Sequence, residues 1–292
     1  MRILSLFDGI SCGMIAAERA GITVTKYDAY EIDENAIKIS EHNYPQIKQK
    51  GDVFKAEYVE DDYNLLIGGS PCTYWSINQK PDRREKTSTG LGWELFSQYA
   101  RALREAKPRY FLYENNASMS EEIKNEITKT LKVEPVLINS ADFSAQKRLR
   151  YYWTNINILE WERKNIHVKD ILDYSYVGEN LINEMKNTDK RKADQNDLIR
   201  VGTIGKGGQG ERVYSIDGKT CTIKANGGGR GAKTGMYLIN DVVRKLTPLE
   251  AERAQTLPDN YTNVGISNTA RYKGIGNGWT VDVIAHILRG IK

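Results

Sequence analysis

The sequence contains few of the residues that form disulfide bonds or bind metals. Its 292 residues include only three cysteines and three histidines. An odd and sparse set of cysteines excludes a disulfide framework, and the scattered histidines show no spacing typical of a metal site. We therefore expect no metal. The chain also shows no signal-peptide pattern and no long apolar run, so we expect a cytoplasmic protein without a membrane partner.

A strong charge of either sign is also lacking. Lysine and arginine number 42 and acidic residues 38, a net charge of +4. Between Gly202 and Gly235, however, six basic residues face two acidic ones, and 11 of the 25 glycines fall there. A basic, glycine-rich stretch suits the phosphate backbone of a nucleic acid. A solvated loop would have the same composition, and charge alone does not separate the two.

Alternating strand and helix patterns predict a doubly wound, mostly parallel α/β sheet through about residue 158. A first strand at 2–7 leads into a glycine turn and a helix. The turn has the spacing Gly9-x-x-x-Gly13 rather than G-x-G-x-x-G, which disfavours a NAD-dependent oxidoreductase. A second strand at 24–32 carries Glu31, and Asp52-Val53 is expected to end a third. An acid after the second strand typically binds ribose hydroxyls.

The most informative stretch is Gly68-Gly69-Ser70-Pro71-Cys72, which follows a buried-strand pattern at 63–67. The glycines allow close approach of a ligand, and the proline stiffens the turn that presents the cysteine. A cysteine at the carboxyl end of a parallel strand lies where open α/β sheets bind ligands. Taken alone, Cys72 would more often be a small buried apolar residue.

Later elements bring further polar groups to strand ends. Helices are expected at 91–106 and 120–131, and a strand at 110–115 carries Glu114 near its carboxyl end. Two more strands are expected at 135–143 and 151–158, joined by residues 146–150. If the second of them begins near Arg148, Arg148 and Arg150 point to one face, because side chains alternate along a strand. The polar segment 81–90 is expected to be a mobile loop that can close over a substrate.

Composition shifts after Trp161, where a polar, glycine-rich stretch continues to residue 240. We expect a small irregular domain there, and the predicted organisation is 1–160, 161–243 and 244–292. A helix through Gln255 should begin with Thr247 as its N-cap and Pro248 at its first position, and a last helix is expected at 281–288.

Short motifs along nearly the whole chain resemble the DNA cytosine-5 methyltransferase family. In the family's order they are Ser5-Leu6-Phe7-Asp8-Gly9, Pro71-Cys72 with Ser76, Glu114-Asn115, Gln146-x-Arg148-x-Arg150, Leu246-Thr247-Pro248 with Glu250, Arg253, Gln255, Pro258 and Asp259, and Gly276-Asn277. A single motif is weak evidence, but the complete ordered set is not expected by chance. The chain is most similar to bacterial and phage members, with likeness to the mammalian de novo branch. Asn116 departs from the pattern, because the family usually has valine there.

The resemblance implies a Rossmann-like S-adenosylmethionine-dependent methyltransferase fold with a small target-recognition domain. It implies site-specific methyl transfer to C5 of cytosine, on a flipped base, through a covalent bond between Cys72 and ring carbon C6. Glu114 would bind N3, while Arg148 and Arg150 would stabilise the O2 side and the Cys72 loop. Asn115 would fix the geometry of that loop.

Binding residues follow from the same resemblance. The residues expected to bind S-adenosylmethionine are Phe7, Asp8, Gly9, Ile10, Glu31, Ile32, Asp52, Val53, Pro71, Asn277, Gly278 and Trp279. The residues expected to contact double-stranded DNA are Ser76, Arg212, Thr222, Ile223, Lys224, Arg230 and Lys233. We expect a monomer in a bacterial host cell, with a cognate restriction endonuclease as one conceivable partner.

Two alternatives stay open. The first is an enzyme that modifies C5 of free pyrimidine nucleotides, which would need no basic recognition domain of this size. The second is a catalytically inactive homologue that only binds DNA. The presence of Cys72, Glu114, Arg148 and Arg150 argues against the second alternative.

Overall fold

A seven-stranded sheet is the main element of the protein in a computed structural model. The structure describes residues 1–76, 82–176, 178–191, 197–227 and 234–292. The strands of this sheet are β1 (Arg2–Leu6), β2 (Lys26–Tyr30), β3 (Lys48–Gln49), β4 (Leu65–Gly68), β5 (Tyr110–Asn116), β6 (Val136–Asn139) and β7 (Leu149–Thr154). Their order across the sheet is β3-β2-β1-β4-β5-β7-β6.

The order of the strands reverses beside β1. This strand pairs in parallel with β2 on one side and with β4 on the other, and β4 pairs in parallel with β5. Strand β5 pairs with β7 in the antiparallel direction. Ligands of open α/β sheets bind at the carboxyl ends of strands next to such a reversal. The predicted doubly wound, mostly parallel sheet is confirmed, and its reversal lies between the glycine turn after β1 and the Cys72 segment after β4.

Four helices connect these strands. They are α1 (Cys12–Arg19), α2 (Glu34–Asn43), α3 (Leu91–Ala106) and α4 (Glu121–Leu131). Helix α3 has the predicted bounds, and α4 begins after Ser120, whose hydroxyl accepts a hydrogen bond from Ile123 N. Tyr113 is fully buried among aromatic rings, with its ring centroid 4.8 Å from that of Tyr99. Tyr113 pairs with Gly68, the last residue of β4, so this aromatic cluster adjoins the carboxyl end of that strand.

The chain packs as two compact units. The first comprises Met1–Ile138, Leu149–Glu160 and Val283–Lys292, and the second comprises Asn139–Arg148 and Trp161–Asp282. The second unit contains a five-stranded sheet with the order β12-β11-β10-β9-β8. Its strands are β8 (Lys186–Arg191), β9 (Arg200–Thr203), β10 (Arg212–Ser215), β11 (Met236–Ile239) and β12 (Val242–Arg244). The remaining helices are α5 (Pro248–Ala254), α6 (Asn268–Asn277) and α7 (Val281–Leu288).

Some local predictions were wrong. The stretch 163–240 contains four strands of the five-stranded sheet rather than an irregular fold, because such short strands carry little periodic signal. Asp52 does not end a strand: it caps a 3-10 turn at Val53–Lys55, and its Oδ1 accepts a hydrogen bond from Phe54 N at 3.0 Å. The functional division into 1–160, 161–243 and 244–292 stays a prediction. No helix among the described residues combines the length and apolar character needed to cross a membrane.

Candidate active site

The backbone is closely packed where the chain passes from β4 into the Cys72 segment. A Cβ at Gly68 would lie 2.8 Å from the carbonyl oxygen of Leu6, so this position needs glycine. After Pro71, a short 3-10 turn runs over Cys72–Tyr74, and the carbonyl of Cys72 accepts hydrogen bonds from Trp75 N and Ser76 N. Cys72 is half-buried, whereas Cys12 is 2% exposed. Cys72 is therefore not the fully buried apolar residue that it would most often be.

Buried polar side chains at the end of β5 hold this segment. Asn115 is 1% exposed, and its Nδ2 donates to Ser70 O at 3.1 Å and to the Tyr113 hydroxyl at 3.1 Å. The Tyr113 and Ser70 hydroxyls are themselves 2.7 Å apart. Asn116 Nδ2 donates to Cys72 O at 3.4 Å and to Asn115 Oδ1 at 3.1 Å. The contact expected of Asn115 is thus present, and Asn116 adds one that the sequence motifs did not indicate.

An ion pair lies at the same strand end. Arg150 Nε is 2.7 Å from Glu114 Oε1, and the two side chains are only 12% and 10% exposed. The antiparallel pairing of β5 with β7 sets Arg150 opposite Asn116, two residues beyond Glu114. Partial burial makes this interaction stronger than a surface ion pair, because solvent screens it less. The structure therefore brings two predicted catalytic residues into direct contact.

Arg148 has a different environment. Strand β7 begins at Leu149, directly after Arg148, so its start lies near Arg148 as the conditional prediction required. Arg148 is 4% exposed, and its guanidinium donates to the carbonyl oxygens of Ile223, Gly276 and Gly278. These acceptors belong to the second unit, as does Arg148 itself. The catalytic assignment of Arg148 stays a prediction.

The turn after β1 is braced from inside by a carboxylate. Asp8 accepts hydrogen bonds from the Ser5 and Ser11 hydroxyls and, at 2.7 Å, from the Tyr27 hydroxyl. Burial raises the pKa of Asp8 above its ordinary value, and these hydrogen bonds oppose that shift. Because the carboxylate is engaged in the turn, the backbone is the part of Asp8 that suits a ligand. Gly9 has a φ of +61°, and open space lies where its Cβ would be.

The second strand end presents an acid and an exposed apolar side chain. Glu31 Oε2 accepts from Gly9 N at 2.8 Å, and Glu31 Oε1 accepts from Ile32 N at 2.7 Å. The Ile32 side chain is 74% exposed. A carboxylate for ribose hydroxyls beside an apolar surface for a base fits adenosine. Glu31 and Ile32 therefore offer the kinds of group that the adenosine part of S-adenosylmethionine requires.

Arg101 on α3 was missed by the sequence analysis. Its guanidinium donates to the carbonyl oxygens of Val53 at 3.2 Å and Ala56 at 3.0 Å, and so fastens the turn that follows Asp52. No local motif marks such a residue, because its partners lie far away in the chain.

The comparisons with known proteins agree with this geometry. The family model for C-5 cytosine-specific DNA methylase matches residues 1–292. The chain belongs to this family. It is 32% identical to the type II methyltransferase M.HhaI of Haemophilus parahaemolyticus, with 100% of this chain and 94% of that protein covered. It is 25% identical to the orphan methyltransferase M.Rho11sI of Bacillus phage rho11s, covering 95% and 68%.

Solved structures show the same fold. The Entamoeba histolytica methyltransferase EhMeth matches with a TM-score of 0.70 at 17% identity, covering 99% of this chain and 97% of that one. The Schizosaccharomyces pombe Dnmt2 methyltransferase matches with a TM-score of 0.66 at 16% identity, covering 98% and 96%. At these identities the likeness concerns the fold alone. Membership of the family, with this fold, implies that the methylase uses S-adenosylmethionine.

The remaining predicted cofactor residues of the methylase lie in its second unit, at the end of α6. Gly278 is the C-cap of this helix, and its N–H donates to Gly274 O at 2.9 Å. Its carbonyl accepts hydrogen bonds from Arg148 at 3.1 Å and from Gln255 at 3.2 Å. Asn277 and Trp279, on either side of it, carry side chains that are exposed and half-buried, respectively.

The predicted DNA-contacting residues fall into three groups. Thr222 and Ile223 are anchored in the second unit: Thr222 Oγ1 donates to Lys147 O at 2.7 Å, and the Ile223 side chain is 2% exposed. Ser76, Arg212 and Lys224 are half-buried. Arg230 and Lys233 lie outside the described residues. All of these DNA assignments stay predictions.

The segment that follows the Cys72 segment is hydrogen-bonded back to it. Glu85 N donates to Tyr74 O at 2.9 Å, and the indole N–H of the fully buried Trp75 donates to Glu85 Oε2 at 3.2 Å. The same carboxylate accepts from Gly92 N at 3.1 Å, in the first turn of α3. The described part of the segment predicted to be mobile is thus fastened to the active-site loop and to α3.

Proposed function

We propose that this methylase transfers a methyl group to C5 of cytosine in double-stranded DNA through a covalent bond between Cys72 and C6. The observation that carries the proposal is the arrangement at the end of β5. Glu114 pairs with Arg150 at 2.7 Å, and the next residues, Asn115 and Asn116, bond to the backbone of the Cys72 segment. One strand end therefore connects an acid, a guanidinium and the nucleophile loop.

The thiolate of Cys72 adds to C6 of the ring, and the electrons of the C5–C6 double bond move so that C5 becomes nucleophilic. Glu114 donates a proton from its carboxyl group to N3 and so neutralises the negative charge that develops on the ring. Arg150 orients Glu114 through their ion pair. A guanidinium carries five N–H donors, so Arg150 has capacity for the O2 oxygen of cytosine as well. After C5 has bonded to the methyl group, loss of the C5 proton to a base and departure of the thiolate from C6 restore the ring.

S-adenosylmethionine supplies the methyl group when it is bound. In the first unit, we assign its binding to Phe7, Asp8, Gly9, Ile10, Glu31, Ile32, Asp52, Val53 and Pro71. Glu31 would bind the ribose hydroxyls, and Ile32 would cover the adenine. A carboxylate has several acceptor sites, so Asp52 can bond to the adenine amino group while it caps its turn. We also assign Asn277, Gly278 and Trp279 to cofactor binding.

Reaction at C5 requires the cytosine to be rotated out of the base stack. We assign the DNA contacts to Ser76, Arg212, Thr222, Ile223, Lys224, Arg230 and Lys233. The buried side chain of Ile223 favours a backbone or supporting role for that residue. The relatives include a type II methyltransferase and an orphan phage methyltransferase. We therefore propose either a role beside a restriction endonuclease or a role in a phage. We also propose that the protein is a monomer in the bacterial cytoplasm.

Incubation with labelled S-adenosylmethionine and duplex DNA tests the function, and bisulfite sequencing locates the methylated cytosines. Duplex DNA that carries 5-fluorocytosine should trap the protein covalently, because this base has no C5 proton to lose. Cys72→Ser should abolish both methylation and trapping while retaining cofactor binding. Cys221→Ser, which changes another half-buried cysteine, is the matched control.

Methylation of free dCMP but not of DNA would support the alternative of an enzyme that modifies free pyrimidine nucleotides. A retained gel shift without label transfer would support an inactive DNA-binding protein.

A further inference from the structure

A buried hydrogen-bond network in the second unit is centred on Arg148. The Arg148 side chain is 4% exposed, and its two terminal nitrogens donate to Ile223 O at 3.3 Å, Gly276 O at 3.2 Å and Gly278 O at 3.1 Å. These acceptors come from two segments that are distant in the sequence. A buried guanidinium is costly unless its donors are paired, so this set of carbonyls accounts for its position.

The two segments have different proposed tasks. Ile223 belongs to the Thr222-Ile223 pair assigned to DNA, and Gly278 belongs to the Asn277–Trp279 segment assigned to the cofactor. Their backbones also touch directly, because a Cβ at Gly276 would collide with the backbone of Lys224 and Ala225. Arg148 therefore bonds simultaneously to the backbones of a DNA segment and a cofactor segment that pack against each other.

Neutral amides complete the same network. Gln146 is fully buried, and its Oε1 accepts from Ile223 N at 2.7 Å while its Nε2 donates to Gln255 Oε1 at 2.8 Å. Gln255 in turn donates to Gly278 O at 3.2 Å. Both backbone polar groups of Ile223 are thus engaged, its N–H by Gln146 and its carbonyl by Arg148. Displacement of one segment would break bonds that also hold the other.

We propose, on the basis of the function assigned above, that Arg148 is a positioning residue that couples the DNA segment to the cofactor segment, and that Arg150 alone of the two arginines acts at the reacting base. The planar guanidinium is suited to this task because its fork of donors can bond to several carbonyls at once. A lysine at this position retains the charge but presents one point of attachment. Arg148→Lys should therefore loosen both segments without removing a reacting group.

The test compares affinities with the rate of the chemical step. Binding of S-adenosylhomocysteine is measured by calorimetry, duplex DNA binding by fluorescence anisotropy, and methyl transfer in a single turnover at saturating ligands. For Arg148→Lys we expect both affinities to fall about tenfold, with the single-turnover rate within about threefold of wild type. For Arg150→Lys we expect the reverse, a rate loss of about a hundredfold with affinities within about threefold. Arg289→Lys, at an exposed arginine, is the control for the substitution itself.

Opposite results overturn the coupling. A hundredfold rate loss in Arg148→Lys with unchanged affinities would make Arg148 a catalytic residue. If both affinities and the single-turnover rate were unchanged, Arg148 would have neither a positioning nor a catalytic role. If Arg148→Lys shows no cooperative thermal unfolding, and so does not fold, the same measurements are made on Gln146→Glu instead. This variant retains the acceptor for Ile223 N–H but loses the donor to Gln255, so cofactor affinity should fall more than DNA affinity, and an unchanged cofactor affinity would contradict the proposal. Wild-type protein that fails to methylate DNA would instead overturn the proposed function, and the coupling with it.

Discussion

The side-chain amide of Asn116 lies 3.4 Å from the carbonyl oxygen of Cys72, where the family usually has a valine that could not make this bond. Asn116 is 4% exposed, and its Oδ1 also accepts hydrogen bonds from Ser118 N at 3.0 Å and from the Ser118 hydroxyl at 2.6 Å. The residue after the Glu-Asn pair thus links the end of β5 to the backbone of the nucleophile. In this protein, the geometry of the Cys72 loop depends on more than Asn115.

Replacement of Asn116 tests this link. Asn116→Val introduces the usual family residue and removes the side-chain bonds to Cys72 O, Asn115 Oδ1 and Ser118. We expect kcat to fall about tenfold, because a loosened nucleophile loop spends less time in the reactive geometry. S-adenosylhomocysteine affinity should stay within about twofold of wild type, since none of the lost bonds involves a residue assigned to the cofactor. Ser118→Ala, which removes only one of the bonds, should have a smaller effect. Wild-type kcat in Asn116→Val would show that the link is dispensable.

Glu114→Gln tests the ion pair at the site. The amide retains the shape of the side chain but leaves the largely buried Arg150 without its carboxylate. We expect the single-turnover rate of methyl transfer to fall about a hundredfold or more, because the developing charge on the ring loses its acidic partner. Glu121→Gln, at a 75% exposed acid on α4, is the matched control. A rate for Glu114→Gln equal to that of the control would remove Glu114 from the mechanism.

The basic stretch of the second unit predicts salt-dependent DNA binding. Arg230 lies outside the described residues, and its assignment rests on the sequence. If Arg230 contacts a phosphate, Arg230→Ala should weaken binding to all duplexes about equally and reduce the slope of log K against log salt by about one. Fluorescence anisotropy titrations at several salt concentrations measure both values. An unchanged slope would exclude a phosphate contact by Arg230.

Lys219 predicts a pH dependence of stability. It is 1% exposed, and its Nζ donates to Ser144 O at 2.9 Å and Ile166 O at 2.6 Å. Burial lowers the pKa of Lys219 to about 8, from 10.5. The unfolded chain therefore binds more protons than the folded chain between these pH values, and stability should rise with pH across this window.

Lys219→Met removes the titrating group and retains much of the side-chain volume. The free energy of unfolding of the wild type minus that of Lys219→Met should increase from pH 8 to pH 10.5 in denaturant titrations. Taking the difference cancels the contribution of the tyrosines that titrate in the same range. A flat or falling difference would mean that the folded and unfolded chains hold the Lys219 proton equally, or that the folded chain holds it more tightly.

Local signals were sufficient for several elements. Helix α3 (Leu91–Ala106) follows from its apolar period and from Pro108 beyond its end. Helix α5 begins as predicted, since Thr247 Oγ1 accepts from Glu250 N at 3.2 Å while Glu250 Oε2 accepts from Thr247 N at 2.7 Å. The strand bounds were less accurate, as at β2 (Lys26–Tyr30), because strands depend on pairing with distant segments.

The sequence by itself determined the parallel sheet, the order of the motifs and the family, because periodicity and motif spacing are properties of neighbouring residues. Only the tertiary structure decided which partner each polar group has. Only Leu149 separates Arg148 from Arg150 in the chain, yet Arg148 bonds to carbonyls of Ile223, Gly276 and Gly278 while Arg150 pairs with Glu114. A buried donor takes the acceptors that folding brings to it, and those acceptors come from segments whose proximity no local pattern encodes.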